Sequence, residues 1–240
     1  MLPPPPGLTT LSSTALFLDF DGTLVDIADG PDKIEVGNGL GASLCALAAQ
    51  IGGRLALISG RALADLEHHL GALNIAMGGS HGGELRRADG GNIGTGVVRL
   101  PDNVRDSLKG FAEENSGLLY EEKTLGAALH YRGAPERETG VLAITETLAK
   151  RHGLTLKQGK MVAELMPSGY DKGSAVRTFM SEDPFTGAWP VFVGDDVTDE
   201  DGFSAARELG GFGVLVGDPR PTAAIYRLAS PAAVHDWLNL

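Results

Sequence analysis

The stretch LFLDFDGTL, residues 16–24, decides the fold class of this chain. It begins with consecutive apolar residues, which is typical of a strand buried on both faces in a parallel sheet. The run leads directly into Asp19 and Asp21, whose side chains lean the same way because side chains alternate along an extended backbone. Gly22 then permits a tight turn and a close approach of the backbone to a ligand. Burial explains the apolar residues, whereas the paired carboxylates need a chemical explanation.

The rest of the chain alternates apolar strand-like runs with helix-like segments, which predicts an α/β fold with a doubly wound, mainly parallel sheet. We predict core strands at residues 15–19, 54–58, 74–77, 191–193 and 213–216. We predict core helices at residues 43–51, 62–70, 172–180 and 200–208, with a final helix at the end of the chain.

Between these core segments the runs are shorter, more polar and more alternating, as in a half-exposed sheet. Strands are predicted there at residues 97–100, 118–123, 126–131, 155–158 and 161–166, and helices at 102–115 and 136–152. The expected domains are therefore a proline-rich leader, extended or disordered, at residues 1–14, a split core at 15–84 and 167–240, and an inserted smaller α/β cap at 85–166.

Composition excludes several classes of protein. The net charge of −11 argues against a nucleic-acid partner, which would favour a basic surface. No apolar run reaches the length of a membrane span, so we expect no membrane association. Cys45 is the single cysteine and has no internal disulfide partner, which favours a reducing cytoplasm. We expect a monomer.

A second acidic stretch, GDDVTDEDGF at residues 194–203, follows another predicted core strand. Asp195 and Asp196 leave the carboxyl end of that strand, and such ends gather at the ligand-binding edge of a parallel sheet. Asp199 and Glu200 are explained equally well by a helix N-terminus, which favours negative charge. Oxygen ligands without histidine or cysteine suit magnesium, so the sequence predicts a Mg²⁺ site at this edge.

Two further segments add groups that a phosphoryl-transfer site needs. LISGR ends the second core strand with Ser59, whose hydroxyl could alternatively cap the following helix. GYDKG places Lys172 at the start of a helix, where an isolated lysine would normally be exposed. A carboxylate nucleophile, an acid, a metal, a hydroxyl and a lysine together fit hydrolysis through a covalent phosphoryl intermediate.

The order of these motifs resembles the haloacid dehalogenase superfamily of phosphatases. Over residues 16–240 it further resembles the trehalose-6-phosphate phosphatase family, and the matching segments are LDFDGTLVDI, LALISGR, GSHGGE, EEK, HYRGAP, GKMVAELMPSGYDKG and VGDDVTDEDGF. The resemblance implies a magnesium-dependent phosphatase that hydrolyses trehalose 6-phosphate, a phosphorylated disaccharide, through an aspartyl-phosphate.

The resemblance also implies roles for individual residues. Asp19 would be the nucleophile, and Asp21 the acid and base whose backbone carbonyl also binds the metal. The implied phosphate-binding residues are Ser59, Gly60 and Lys172. The implied metal ligands are Asp19, Asp21 and Asp195, with Asp196 or Asp199 acting through water.

In the cap, the resemblance places Glu121, Lys123 and Glu164 on the sugar hydroxyls. It also places Arg132, His81 and Glu84 along the cleft. Without the resemblance, Glu121 and Lys123 would be an ordinary exposed strand face, because they lie two residues apart on a strand.

Three other functions are considered. The first is a phosphatase for another phosphorylated sugar, such as sucrose phosphate or a glucosyl-phosphoglycerate, since only cap residues separate these substrates. The second is a nucleotide-binding module, but GNGLGAS at residues 37–43 follows no predicted strand and lacks the dinucleotide spacing. The third is a catalytically inactive regulatory domain, which is disfavoured because every reactive position is filled.

Overall fold

The structure is a computed structural model that describes residues 2–7, 13–27, 34, 36–94, 99–159 and 161–240. Its strands are β1 (Thr14–Leu18), β2 (Leu55–Ile58), β3 (Ala76–Gly79), β4 (Glu84–Arg86), β5 (Leu119–Glu122), β6 (Ala127–His130), β7 (Leu154–Gly159), β8 (Val162–Pro167), β9 (Trp189–Gly194), β10 (Phe212–Val216) and β11 (Tyr226–Leu228). Its α-helices are α1 (Leu40–Gln50), α2 (Leu63–Leu70), α3 (Asp102–Glu114), α4 (Glu138–His152), α5 (Lys172–Met180), α6 (Glu200–Glu208) and α7 (Pro231–Leu238).

The chain divides into two compact units, Met1–Gly96 with Asp171–Leu240, and Val97–Tyr170. Within the described ranges, no helix combines the length and hydrophobicity needed to cross a bilayer.

The larger unit is built on one sheet with the strand order β11-β10-β9-β1-β2-β3-β4. All neighbouring strands in it are parallel except β3 and β4. Because side chains alternate along β1, Leu16 and Leu18 belong to one apolar cluster, and Ala15 and Phe17 belong to another. Residues of α1 and α7 join the first cluster, and residues of α5 and α6 join the second. This layered arrangement confirms the predicted doubly wound α/β class.

The smaller unit has an antiparallel sheet in the order β5-β6-β8-β7. One face of this sheet packs against α3 and α4 through a cluster that includes Val104, Leu129, Val141 and Leu165. The other face carries polar side chains, because neighbours in an antiparallel strand alternate between core and solvent.

Three features of the fold differ from the sequence prediction. The predicted strand at residues 97–100 lies partly outside the described residues, and residues 99 and 100 are not in a strand. The third core strand begins two residues later than predicted, at Ala76. The strands β4 and β11 were missed, because each has three half-buried residues and shows no apolar run.

The described part of the proline-rich leader, residues 2–7, is fixed to the larger unit. The Arg227 backbone N–H donates to the Pro3 carbonyl at 2.9 Å, on the outermost strand β11. The Trp237 ring N–H donates to the Pro6 carbonyl at 2.9 Å. The leader therefore occupies one backbone N–H of the edge strand β11, a group that would otherwise be open to pairing with another chain.

Candidate active site

The site forms at the carboxyl edge of the larger sheet, where β1 lies between β9 and β2. From β1 the chain passes to β2 on one side, and it later enters β9 on the other side, so the strand order reverses at β1. Ligands of doubly wound sheets bind at such a point. Asp19 directly follows β1, and its backbone N–H donates to the Val193 carbonyl of β9 at 2.9 Å. The register of the two strands thereby places the first carboxylate beside the loop after β9.

Lys172 is the central cation of this site. Its Nζ donates to Asp19 Oδ1 at 2.7 Å and to Asp199 Oδ1 at 2.6 Å, and its side chain is only 3% exposed. A capping box between Asp171 and Ser174 starts α5 at this residue and fixes where the lysine leaves the backbone. An isolated lysine at a helix start is normally exposed, whereas this one is buried between two acids.

Three carboxylates meet beside Lys172. Oxygens of Asp19, Asp195 and Asp199 lie within 4.8 Å of one another. Asp195 Oδ1 is buried and has no hydrogen-bond partner among the described residues. A Cβ added to Gly22 would lie 2.1 Å from Asp195 Oδ2, so only glycine leaves room for this carboxylate. A buried acceptor without a donor is costly, which indicates that a ligand belongs there.

Burial and charge shift the proton affinities of the cluster. Desolvation raises the pKa of Asp19 well above its usual value, and the attraction of Lys172 offsets only part of this effect. Desolvation, followed by repulsion from Asp199, raises the pKa of Asp195 to about 6. Burial by itself would lower the pKa of Lys172, but the neighbouring Asp19 and Asp199 outweigh it and raise that pKa. The site therefore holds an ammonium beside carboxylates that favour either a proton or an added cation.

Asp21 lies outside the three-carboxylate cluster and is held by Arg61. Arg61 Nε donates to Asp21 Oδ2 at 2.7 Å, and Nη2 donates to Asp21 Oδ1 at 2.8 Å. The third guanidinium nitrogen, Nη1, donates to Asp65 Oδ2 at 2.6 Å. The guanidinium carbon lies 5.9 Å from the ring centroid of Phe20. Burial would lower the pKa of Arg61, but its hydrogen bonds to Asp21 and Asp65 raise it, so the guanidinium stays charged.

Ser59 is buried at the end of β2, beside the cluster in the sheet order. Its Oγ accepts from the Arg61 backbone N–H at 3.1 Å, and α2 has no side-chain cap. The helix-cap alternative for Ser59 is therefore wrong. Gly60 lies against the His81 ring, since a Cβ on Gly60 would meet His81 Cε1 at 2.7 Å. His81 has the left-handed φ of 56°, a conformation that is uncommon for residues other than glycine.

Glu84 and Asp196 have local roles in the structure. Glu84 Oε2 accepts from the Ser80 hydroxyl at 2.7 Å and from the Leu63 N–H at 3.4 Å, so it fixes the turn that carries His81. Asp196 is exposed, and its carboxylate accepts from the Val197 N–H at 2.7 Å. Asp199, rather than Asp196, reaches the cluster, because a 3₁₀ turn over Val197–Asp199 points its side chain back toward the strand end.

Three of the predicted sugar-binding residues of the smaller unit take part in one ion pair and one hydrogen bond. Lys123 Nζ lies 2.6 Å from Glu164 Oε2, and His130 Nε2 lies 2.7 Å from Glu121 Oε2. Glu121 and Glu164 both pair with Ala128 of the central strand β6, so they share one face of the sheet. The hydrogen bond to His130 lowers the pKa of Glu121. Arg132 is exposed in the turn after β6 and forms no part of these pairs.

Sequence reasoning missed three residues at these sites. Arg61 ends the LISGR segment, and an arginine directly after a strand-end Ser-Gly was the available signal. Thr23 is fully buried, and its hydroxyl donates to Asp19 Oδ2 at 3.3 Å. His130 directly precedes the Tyr-Arg pair after β6, and only cross-strand pairing reveals its contact with Glu121.

Two solved structures share the fold of this chain. The C-terminal domain of C. albicans trehalose-6-phosphate phosphatase superposes with a TM-score of 0.81 at 23% identity, covering 100% of this chain and 97% of that one. A phosphatase of the haloalkanoate (HAD) enzyme superfamily from Bacteroides thetaiotaomicron superposes with a TM-score of 0.68 at 17% identity, covering 95% and 93%. These likenesses show that the chain has the fold of the phosphatases of this superfamily.

Sequence similarity identifies the family. The chain is 38% identical over 231 residues to the trehalose-6-phosphate phosphatase of Escherichia coli K12, covering 94% of this chain and 85% of that protein. The profile of the trehalose-phosphatase family matches residues 17–232, and this chain belongs to that family. The expectation of a phosphoric monoester hydrolase is confirmed.

Proposed function

We propose that this protein hydrolyses trehalose 6-phosphate to trehalose and phosphate, with a divalent cation bound and an aspartyl-phosphate formed on Asp19. The names of the related proteins support the substrate. The observation that supports the chemistry is the buried Asp19, which has one oxygen on Lys172 and two further carboxylates within reach. A structural ion pair would not need the additional acids.

The residues present fit Mg²⁺. Asp19, Asp195 and Asp199 offer oxygen ligands only, which suits a hard cation. Together with the Lys172 ammonium, the three carboxylates leave two negative charges uncompensated, which one divalent cation would balance. The unpartnered Asp195 Oδ1 supplies a free ligand atom. When bound, Mg²⁺ would reduce the repulsion between the attacking carboxylate and the phosphoryl oxygens.

Asp19 and Asp21 divide the chemistry between them. In the first step an Asp19 oxygen bonds to phosphorus, the bond from phosphorus to the sugar oxygen breaks, and Asp21 gives its proton to that oxygen. In the second step Asp21 takes a proton from water, and the water oxygen bonds to phosphorus. The bond from phosphorus to Asp19 then breaks, which releases phosphate and restores the free carboxylate.

Lys172 and Ser59 would hold the phosphate group. Lys172 brings a buried positive charge to the substrate anion within a protein of net charge −11. Ser59 follows β2, next to β1, so its hydroxyl lies at the same sheet edge as Asp19. Gly60 would allow the phosphate to approach the backbone, because it has no Cβ to meet the His81 ring or the ligand.

The smaller unit is the proposed cap that selects the sugar. Its polar sheet face carries the Lys123–Glu164 and His130–Glu121 pairs, which offer donors and acceptors matched to sugar hydroxyls. Glu164 is the strongest candidate because its side chain is only 17% exposed within an otherwise apolar strand. We propose that Arg132 contributes to substrate binding in the smaller unit and that His81 does so in the larger unit, with Glu84 acting through the turn that carries His81.

Phosphate release from purified enzyme tests the substrate and the metal together. We expect turnover of trehalose 6-phosphate to exceed that of glucose 6-phosphate, sucrose 6-phosphate and glucosyl-3-phosphoglycerate, and to require added Mg²⁺ after chelation. The assignment to trehalose 6-phosphate is wrong if it is turned over no better than glucose 6-phosphate. Full activity in the presence of chelator would remove the metal from the proposal.

Acid quenching tests the intermediate. With ³²P-labelled substrate, the wild-type chain should retain label that hydroxylamine removes, as expected of an acyl phosphate. Asp19→Asn should retain none and should be inactive. Asp199→Asn is the matched control at the same Lys172, because it removes a neighbouring carboxylate and leaves the nucleophile. Label retained by Asp19→Asn would contradict the assignment.

Substitution of Glu164 tests the sugar face. Glu164→Ala should raise KM for trehalose 6-phosphate about tenfold or more while p-nitrophenyl phosphate is hydrolysed as before. Glu122→Ala is the control, because Glu122 lies on β5 of the same sheet but is exposed and pairs with Arg105. Equal losses on both substrates would show that Glu164 supports the fold instead.

Compartment and assembly stay predictions from the sequence. The free thiol of Cys45 fits a reducing cytoplasm. Size-exclusion chromatography with light scattering should give the mass of one 25.0 kDa chain; a dimer mass would contradict the expected monomer.

A further inference from the structure

Arg61 binds both oxygens of one carboxylate, whereas Arg87 of the same unit places two nitrogens on a single carboxylate oxygen. Two of its nitrogens donate to the two oxygens of Asp21, at 2.7 and 2.8 Å, in a parallel arrangement that fixes the plane of the carboxylate. The Arg61 side chain is 11% exposed, compared with 35% for Asp21. The buried partner is therefore the arginine, and it fixes a carboxylate that remains open to substrate.

Arg61 is itself held on several sides. Its remaining terminal nitrogen donates to Asp65 Oδ2 at 2.6 Å, one turn along α2. Its guanidinium lies over the Phe20 ring, which sits between Asp19 and Asp21 in the chain. An arginine with this many contacts has little rotamer freedom, so it can transmit a defined orientation to Asp21.

The backbone of Arg61 fixes a second site residue. Its N–H donates to Ser59 Oγ at 3.1 Å, and its carbonyl accepts from the Ser80 N–H at 2.7 Å. One residue therefore orients the hydroxyl after β2, the turn that carries His81, and the carboxylate after β1.

We infer that Arg61 is a positioning residue for the proton transfers of Asp21, rather than a substrate-binding residue or a simple fold-stabilising ion pair. A carboxylate oxygen has two acceptor positions, and Arg61 uses one on each oxygen of Asp21, which leaves the other to carry the proton that passes to the leaving oxygen and is later taken from water. This inference depends on the proposed acid–base role of Asp21.

The consequence concerns which substrates need Arg61. A sugar alkoxide is a poor leaving group and needs a proton as it departs, whereas p-nitrophenolate leaves without one. Loss of positioning should therefore slow the first chemical step for the sugar ester and spare it for the aryl ester. General acid catalysis typically contributes about 10²–10⁴-fold, which sets the scale of the expected loss.

The experiment is a single-turnover measurement with enzyme in excess, following release of the leaving group. Arg61→Ala should slow release of trehalose about 100-fold and release of p-nitrophenolate less than about threefold, with little change in the enzyme concentration needed for half-saturation. Arg61→Lys keeps the charge but loses the two parallel hydrogen bonds, so its rate of trehalose release should lie between those of the wild type and Arg61→Ala. Asp65→Asn, which loosens only the far side of the guanidinium, should show a smaller loss with the same substrate pattern.

Arg87→Ala is the matched control, because Arg87 makes a comparable two-nitrogen contact to Glu182 in the same unit. It should change neither rate. Equal loss on both substrates for Arg61→Ala would overturn the inference in favour of a structural role. A higher enzyme concentration for half-saturation in Arg61→Ala, with an unchanged maximal rate, would overturn the inference in favour of a substrate-binding role.

Asp21→Asn separates failure of this inference from failure of the proposed function. If Asp21→Asn shows the substrate-dependent loss and both Arg61→Ala and Asp65→Asn do not, the positioning role is wrong while the acid–base role of Asp21 holds. If Asp21→Asn itself shows no such pattern, the proposed role of Asp21 is wrong, and the positioning role is wrong with it.

Discussion

Replacement of Gly22 by alanine separates backbone strain from loss of the site. Gly22 has φ +77°, and a Cβ there would lie 2.1 Å from Asp195 Oδ2 and 2.4 Å from Asp195 Cγ. The left-handed backbone costs an L-residue about 1–2 kcal/mol. The clash need not add much to this cost, because the atoms that must move belong to the end of a side chain. Movement of the Asp195 carboxylate would, however, remove it from the cluster with Asp19 and Asp199.

Gly39 provides a control with the same backbone cost and no clash. It has φ +89°, and nothing lies within 4 Å of its added Cβ. We expect Gly22→Ala and Gly39→Ala to lower the free energy of unfolding in chelator by similar amounts, about 1–2 kcal/mol each. Phosphatase activity should fall about 100-fold or more for Gly22→Ala and stay within about twofold for Gly39→Ala.

Urea denaturation and phosphate release measure the two effects on the same preparations. A third measurement is the urea denaturation midpoint at increasing concentrations of calcium or magnesium. Displacement of Asp195 should weaken the stabilisation that the cation gives. Full activity in Gly22→Ala would refute the reasoning, because the Asp195 carboxylate would then not need the space that only glycine leaves.

Three further predictions concern the same cluster. Lys172→Ala leaves two buried carboxylates without their cation, so the free energy of unfolding in chelator should fall by about 3–5 kcal/mol. Replacement of the exposed Lys109 by alanine should change it by less than about 0.5 kcal/mol, and a similarly small change for Lys172→Ala would contradict the buried pairing. Burial raises the pKa of Asp195 to about 6, so between about pH 4 and 6 the folded apoprotein binds more protons than the unfolded chain. The stability of the apoprotein should therefore fall as pH rises through this window, and urea midpoints that rise over the same window would disprove this prediction. Thr23→Val removes the hydroxyl that donates to Asp19 Oδ2 and should lower kcat about tenfold with KM unchanged, and an unchanged kcat would assign Thr23 to packing alone.

The parts of the site that could be predicted from the sequence are those set by local patterns. Five consecutive buried residues in β1 fix the position of Asp19, and a second buried strand fixes that of Asp195. The parallel arrangement then brings both to one edge, because the carboxyl ends of parallel strands lie together. The alternation of strands and helices likewise predicted the α/β class.

The parts that could not be predicted depend on register and side-chain geometry. Arg61 and Asp21 are 40 residues apart, and their contact exists because Leu18 of β1 pairs with Leu57 of β2. Asp199, rather than Asp196, lies in the carboxylate cluster because of a single 3₁₀ turn, which no apolar pattern encodes. Burial of Lys172 follows from its two acidic partners, one of them 153 residues away in the chain.

The central position of β1 also determines when during synthesis the enzyme can become active. One neighbour, β2, is made soon after β1, but the other, β9, begins only at Trp189. At elongation rates of about 5–20 residues per second, a nascent chain spends roughly ten seconds or longer with one side of β1 unpaired. Asp19 is translated well before its partners Lys172, Asp195 and Asp199, so a ribosome-bound fragment that stops before α5 carries the proposed nucleophile without the groups proposed to activate it.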